Sequence, residues 1–198
     1  DRLSRGLGDV YKRQLLQQII NPLRAANGAR LITLSSIAHR MGAVDFSDMN
    51  YDQRPYDKWQ AYGQAKSAQS LMAVELDRRE KDNNIRSFSV HPGGIFTPLQ
   101  RHLGNAEMAE FGWTDTEGNP SAVAEKLFKS PSQGCATSLW AATAVSLNGM
   151  GGVYCEDCNI SRIVPDDSND FTGVRQWAVA SDIAEQLWDE TDRLLARL

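Results

Sequence analysis

Apolar positions along the chain fall into two alternating kinds of stretch. One kind is short: the continuously apolar run of RLITLSS (Arg30–Ser36), then IRSFSVH (Ile85–His91) and GGVYC (Gly151–Cys155). Such runs, with β-branched residues among them, suit strands of a parallel sheet buried on both faces. The other kind is longer and repeats every three to four positions. Leu15 to Ala26 reads as the end of an amphipathic helix, stopped at NGAR with Gly28 as a left-handed cap. From about Asp57 to Asp82, Ala65, Ala68, Leu71, Met72 and Leu76 mark the buried face of a long helix that Asn83-Asn84 closes. Gln133 to Leu147 predicts a further helix, and the tail from Val174 to Leu198 is mostly helical. A polar connection with Gly42, Asp45, Asp48, Asn50 and Pro55 precedes the long helix. The segment from Phe96 to Ser130 is irregular and reads as a loop with short helices.

Strand, helix, strand, helix, strand at these lengths means right-handed βαβ units in a parallel sheet with helices on both faces. The expected class is therefore α/β, a Rossmann-like doubly wound sheet. Ligands of such sheets sit at the carboxyl ends of the strands. Here those ends carry Ser35-Ser36 and Pro92-Gly93, and the helix between them carries Tyr62 and Lys66.

Composition narrows the class of protein. A chain of 198 residues with a formal charge of -4, 41% hydrophobic and 23% charged residues describes a soluble globular domain with a real core. The mildly acidic balance gives no reason to expect nucleic acid or an anionic membrane as partner. Apolar runs such as LITL and SLWAATAVSL are far shorter than the ~20 residues that span a bilayer. No basic start leads into an apolar core and cleavage site, so no secretory signal is visible. Cys135, Cys155 and Cys158 make an odd number at irregular spacing, which fits a reduced, cytoplasmic setting.

In AYGQAK, Tyr62 and Lys66 stand one helical turn apart on a shared face. Reducing a carbonyl or oxidising an alcohol needs a proton carrier whose pKa lies near the working pH. Free tyrosine titrates near ~10. An ammonium one turn away would favour the phenolate and lower that value, while a serine hydroxyl at the neighbouring strand end could donate to the substrate oxygen. Tyr62, Lys66 and Ser36 have the types and places for this work. A tyrosine-lysine pair at this spacing is weak evidence alone, because an isolated one is ordinary helix-surface decoration.

The ordered set is more specific. LSS (Leu34–Ser36), the Tyr62/Lys66 pair and HPGGIFT (His91–Thr97) together resemble the short-chain dehydrogenase/reductase family. The longer spellings SSIAHR, AYGQAKSAQSLMAVELDRR and SVHPGGIFTPL look like its retinol-dehydrogenase-like and WW-domain-oxidoreductase-like branch, and the resemblance runs from about Leu15 to the C-terminus. It implies an NAD- or NADP-dependent oxidoreductase acting on a small-molecule carbonyl or alcohol. Tyr62 would be the acid/base. Lys66 would lower its pKa and hold the nicotinamide ribose, and Ser36 would orient the substrate oxygen. Pro92, Gly93 and Ile95 would lie along the nicotinamide, with Thr97 reaching the carboxamide or pyrophosphate. Residues 98–130 would form a substrate flap, with Phe96, Leu99, Leu103, Phe111 and Trp113 as apolar wall. The same resemblance implies a homodimer or homotetramer.

The family's first half should carry a glycine-rich turn, a coenzyme-selecting residue, an NAG-type motif and a catalytic asparagine on the helix that ends near Ala26. None is present, and at ~30 residues per βαβ unit about three units are missing. The expectation is an N-terminally truncated, C-terminal portion of the domain over residues 15–198, holding coenzyme poorly by itself. The leader DRLSRGLGDVYKRQ (residues 1–14) resembles adapter read-through; its GLG lacks the strand and third glycine of a dinucleotide turn. Rival readings are an inactive fragment and a reductase acting on a carbon–carbon double bond.

Other chemistry-bearing residues read as structural. His39 and His91 have no visible carboxylate partner, and His102 falls in the flap. Ser35 is a strand-end residue. Cys155 and Cys158 form a lone CxxC with no second ligand pair, followed by a loop at Asn159-Ile160; metal or redox use is not expected. PDDSND (Pro165–Asp170) is a solvated loop, and the tryptophans serve core and interface.

Overall fold

The computed structural model describes residues 9–197; the rest of the leader, including GLG, lies outside them. Helix α1 (Asp9–Ala25) starts ahead of the expected Leu15. Val10 is buried against Met49, Ala68, Leu71 and Leu187, so this first turn contributes one side chain to the core. The left-handed residue after α1 is Asn27 (φ 48), not Gly28 (φ 144). Asparagine tolerates that conformation through its short polar side chain.

Strand β1 (Ala29–Leu34) leads into a 3-10 turn (Ile37–Met41), and the long helix α2 spans Lys58–Glu80. Strand β2 (Ile85–His91) is followed by a 3-10 turn (Pro98–His102) and two short helices, α3 (Asn105–Glu110) and α4 (Ala122–Leu127). Next come α5 (Pro131–Gly134) and α6 (Ala136–Thr143), then β3 (Val153–Glu156), β4 (Asn159–Ile160), β5 (Ile163–Val164), β6 (Val174–Arg175) and α7 (Ser181–Leu195).

The sheet runs β1-β2-β3-β4, with the first three strands parallel and β4 antiparallel to β3. Leu34 pairs with Val90 and Val90 with Cys155, so the three parallel carboxyl ends form one level rim. A separate parallel pair joins β5 to β6.

Alternation along β2 sets the layers. Phe88 and Val90 pack with Ala141, Leu147 and Cys155, so α6 covers one face. Ser87 and Ser89 alternate with them and are buried on the other. There α2 presents Ala68, Ser70 and Ala73, all wholly buried, and small residues on both sides bring helix and strand close. Beyond them Met72 and Leu76 join Leu16 of α1 and Trp188 of α7 in an outer cluster. Each large apolar side chain buried this way contributes about 1.5–3 kcal/mol. The result is a partial Rossmann-like α/β fold.

Helix α2 begins where Asp57 accepts the N–H groups of Trp59 and Gln60 at 3.0 and 2.7 Å. It stops at Asn84, which is left-handed at φ 58. Its buried side is wider than the apolar period suggests, since Glu75 is wholly buried between Arg78 and Arg79.

Several sequence expectations are corrected. β1 is an edge strand among the described residues and only half buried; Leu34 is 49% exposed. The helix expected over Gln133–Leu147 starts at Pro131 and is nicked at Cys135, whose N–H is shared between the Pro131 and Gln133 carbonyls. It ends at Thr143, where Ala144 turns extended. Asn159-Ile160 is strand, because Asp157 and Cys158, both at positive φ, make a tight two-residue hairpin. The tail gives β6 and a 3-10 turn before its helix.

Candidate active site

The end of β1 and the first half of α2 are stitched together at the rim. The Ser35 hydroxyl donates to the Lys66 carbonyl at 2.9 Å and accepts from the Ser70 hydroxyl at 2.9 Å. That spends Ser35 on structure. The Lys66 ammonium donates to the carbonyl of Leu34, the last residue of β1, at 3.0 Å. Ser36 caps the following turn, its Oγ accepting the Ala38 N–H at 3.1 Å. The Ser36 hydroxyl lies near enough to the Tyr62 phenol to favour its ionised form.

This closeness depends on Gly63. A Cβ there would stand 2.7 Å from the Ala38 carbonyl oxygen and 2.7 Å from the Gly42 nitrogen. Glycine inside a helix costs about 1 kcal/mol relative to alanine, and here its lack of a side chain lets α2 rest on the turn that carries Ser36. Sequence reasoning passed over Gly63 and read Gly42 only as part of the polar connection. The available signal was a glycine kept in a long helix directly beside Tyr62.

The electrostatics differ from expectation. Burial holds the Tyr62 phenol above its ordinary value, and the nearby Ser36 hydroxyl pulls it back. Burial lowers the Lys66 ammonium to about 8, with the Lys12 charge adding to the effect. Lys66 Nζ lies 5.4 Å from the centre of the Tyr62 ring. Its ammonium is bonded to the Leu34 carbonyl, and burial is the largest influence on the phenol.

The loop after β2 forms the other wall. Gly93 takes φ +95, and the Lys129 side chain lies beside it. The Gly94 carbonyl accepts the Lys129 N–H at 2.8 Å, and the Phe128 ring occupies the place a Cβ on Gly94 would need. Ile95 packs on Gly134, near the Pro92 carbonyl. Thr97 caps the 98–102 turn, accepting the Leu99 N–H at 3.2 Å and pairing with Gln100, so its hydroxyl is engaged there. Leu99 is 70% exposed. Phe96 meets Phe128 at 4.6 Å, and aromatic contacts continue through Trp113, Phe111 and Trp59 to Tyr62.

The two histidines at the rim are held neutral. Burial lowers His39 to about 4, with Arg40 and Arg175 acting the same way. Burial, then the Lys129 charge, lowers His91 to about 4. In the unfolded chain both protonate near pH 6.5. Below that pH the unfolded state binds more protons, so the stability these rings contribute is complete above pH 6.5 and falls as pH drops toward 4. Wholly buried His39 alone should remove roughly 2 kcal/mol by pH 5. Urea unfolding midpoints at pH 7.5 and pH 5 check this; equal midpoints would refute it.

Cys155 is wholly buried in the α6-side core, where burial pushes its thiol up to about 12, and Cys158 is exposed on the hairpin turn. Among the described residues no group of three or more His, Cys, Asp or Glu could hold a metal, and no helix is long and apolar enough to cross a membrane. A cavity of about 500 Å³ opens away from the rim, between α1, α2 and α7, lined by Arg13, Ile20, Leu76, Arg79 and Trp188 among others.

No family model matches the chain. A probable oxidoreductase of Streptomyces lividans is 39% identical over 84% of this chain and 55% of its own length. The short-chain dehydrogenase/reductase prx1 of Penicillium roqueforti is 33% identical over 96% of this chain and 54% of its own. The chain belongs to the short-chain dehydrogenase/reductase family. Retinol dehydrogenase 13 of Mus musculus, 31% identical over 91% of this chain and 49% of its own, lies in the branch that SSIAHR and SVHPGGIFTPL resemble. The fold of this short-chain dehydrogenase/reductase is also that of L-sorbose reductase from Gluconobacter frateurii, solved with NADPH and L-sorbose. That match has a TM-score of 0.52 and 19% identity, covering 73% of this chain and 51% of the other. The chain spans about half the length of the curated relatives it matches, and the match is to their C-terminal part.

Proposed function

We propose that this chain supplies the proton-transfer half of a nicotinamide-dependent oxidoreductase interconverting a carbonyl and an alcohol. The convergence of Tyr62, Lys66 and Ser36 at the end of β1, with Lys66 Nζ 5.4 Å from the Tyr62 ring centre and bonded to the Leu34 carbonyl two residues before Ser36, supports this reading most directly. Ser36 Oγ accepts the Ala38 N–H, which leaves the hydroxyl proton for donation. A substrate oxygen against both hydroxyls would receive two O–H donors as its negative charge develops. Tyr62 then gives up its proton, or takes one from the alcohol in the reverse direction.

The donor set fits the nicotinamide end of a coenzyme. Lys66 has three N–H donors, of which one goes to Leu34, so two remain for the paired hydroxyls of a ribose. Pro92, Gly93 and Ile95 would border the nicotinamide, while Thr97 stays a turn cap. When bound, NAD or NADP supplies or accepts the hydride. No glycine-x-glycine-x-x-glycine turn follows a described strand, so the adenosine and pyrophosphate end finds no cradle in these residues. Phe96, with the aromatic side chains running from Phe128 to Trp59, would face the substrate's apolar part.

Turnover of simple aldehydes beside enones, at millimolar NADH and NADPH, tests the proposal. The expected result is aldehyde reduction, with coenzyme affinity weaker than micromolar by calorimetry. Saturation of an enone's double bond with no carbonyl reduction would replace the carbonyl reading. No turnover with either coenzyme would leave the chain an inactive fragment.

A further inference from the structure

Ser36 is held by a residue that the proton transfer does not use. His39 is wholly buried, its ring 5.2 Å from that of Tyr154. Its Nε2 lies 3.0 Å from the backbone nitrogen of Arg175 on β6. A backbone N–H can only donate, so Nε2 accepts there and carries no proton. The neutral ring then has its proton on Nδ1, which donates to the Ser36 carbonyl at 2.7 Å.

The far end of this link is itself fixed. Arg40 donates to the carbonyls of Asp170, Thr172 and Gly173. Glu156, at the end of β3, accepts the Gly173 N–H and the Ser161 hydroxyl, both at 2.6 Å. On the near side the His39 carbonyl accepts the hydroxyl of Ser67, the neighbour of Lys66, at 3.1 Å. One imidazole therefore joins the serine turn to a clamped C-terminal strand, next to the helix that carries Tyr62.

We propose that His39 is a positioning residue, whose Nδ1–H bond to the Ser36 carbonyl fixes the turn that aims the Ser36 hydroxyl at Tyr62, with β6 as its anchor. The inference rests on the reading of Tyr62 and Ser36 as the reacting pair. A mere packing role would ask only for a flat ring of this volume, whereas two directional bonds ask for a donor on one edge and an acceptor on the other.

Two substitutions separate the edges. His39→Asn keeps an amide N–H near the Nδ1 position and loses the acceptor; His39→Gln keeps an oxygen near Nε2 and loses the donor. Amide hydrogen exchange at Ala38, whose N–H rests on Ser36 Oγ, reads the serine turn, and exchange at Arg175 reads the anchor. Expected for His39→Asn is a slow Ala38, a fast Arg175 and kcat within about threefold of the parent. Expected for His39→Gln is the reverse exchange pattern and a fall in kcat of about 10- to 100-fold with KM little changed, the size of a small misplacement of a reacting group. In the parent chain, proton–nitrogen correlation spectra should show a protonated Nδ1 and an unprotonated Nε2, a readout that needs no variant to fold. A protonated Nε2, full activity in His39→Phe, or kcat following Arg175 exchange rather than Ala38 exchange would overturn the proposal. If the exchange pattern holds and the parent itself shows no turnover, the reductase reading falls while the anchor stands.

Discussion

Tyr62→Phe is expected to lower aldehyde turnover by ~10²–10⁴-fold, the usual contribution of a positioned general acid. The substitution removes one oxygen and leaves the ring against Trp59, so packing is kept. Any hydrogen bond the phenol makes is worth only about 1 kcal/mol, so the unfolding midpoint should move little. A large fall in kcat at nearly constant stability would therefore separate chemistry from folding. Because burial keeps the phenol above its ordinary value, Tyr62 is protonated throughout the neutral range. Reduction should then be flat from pH 6 to about 7 and fall above pH 8 as Lys66 loses the charge that holds the ribose, while the Tyr62 step of oxidation, which needs the phenolate, gains with pH across the same range. Steady-state rates of both directions check this, and a Tyr62→Phe variant retaining near-parental turnover would remove Tyr62 from the mechanism.

The parts of the fold legible in the sequence are those in which pattern and burial agree. RLITLSS carries a continuous apolar run at its centre, and IRSFSVH, though it alternates serine with apolar residues, is buried almost throughout. The long helix was legible because Asp57 caps it and its small and apolar positions keep the helical period. Legibility failed where a single residue changes the geometry. Asp157 and Cys158 turn a hairpin with none of the glycine or asparagine that usually marks one. Val10 buries itself from a segment too polar to suggest a helix.

The site shows the same division. Residue types and their order placed Tyr62, Lys66 and Ser36 on one rim, because the sheet's parallel register leaves its strand ends level. The charge relation between Lys66 and Tyr62 was not legible. It depends on where a long flexible side chain ends, and here Leu34 offers its carbonyl. The capping by Thr97 was legible in hindsight, since it stands before a proline with a glutamine three residues on. His39 carried no sequence signal, since its partners are backbone groups and one of them is distant in the chain.

Gly63→Val should be the most damaging substitution for stability, at a loss of about 3 kcal/mol or more, the upper end of what overpacking costs. Helix propensity alone would favour any residue over glycine by up to ~1 kcal/mol. Opposing it, a Cβ at this position meets the Ala38 oxygen at 2.7 Å, the Gly42 nitrogen at 2.7 Å and the Met41 carbonyl carbon at 2.9 Å. All three are backbone atoms and cannot rotate aside. The partner surface is equally tight, since a Cβ on Gly42 would stand 2.7 Å from the Gln60 oxygen. Alanine should thus cost about 1–2 kcal/mol net, and valine, with two further methyl groups, enough to lower Tm by roughly 10 °C at ~2–4 °C per kcal/mol. Gly104→Ala is the control: nothing lies within 4 Å of its Cβ position, and no change is expected. Thermal unfolding of the three variants reads the contact directly. A Gly63→Ala chain as stable as the parent would show that α2 does not rest on the Ser36 turn. The structural basis for the closeness of Tyr62 to Ser36 would then be gone as well.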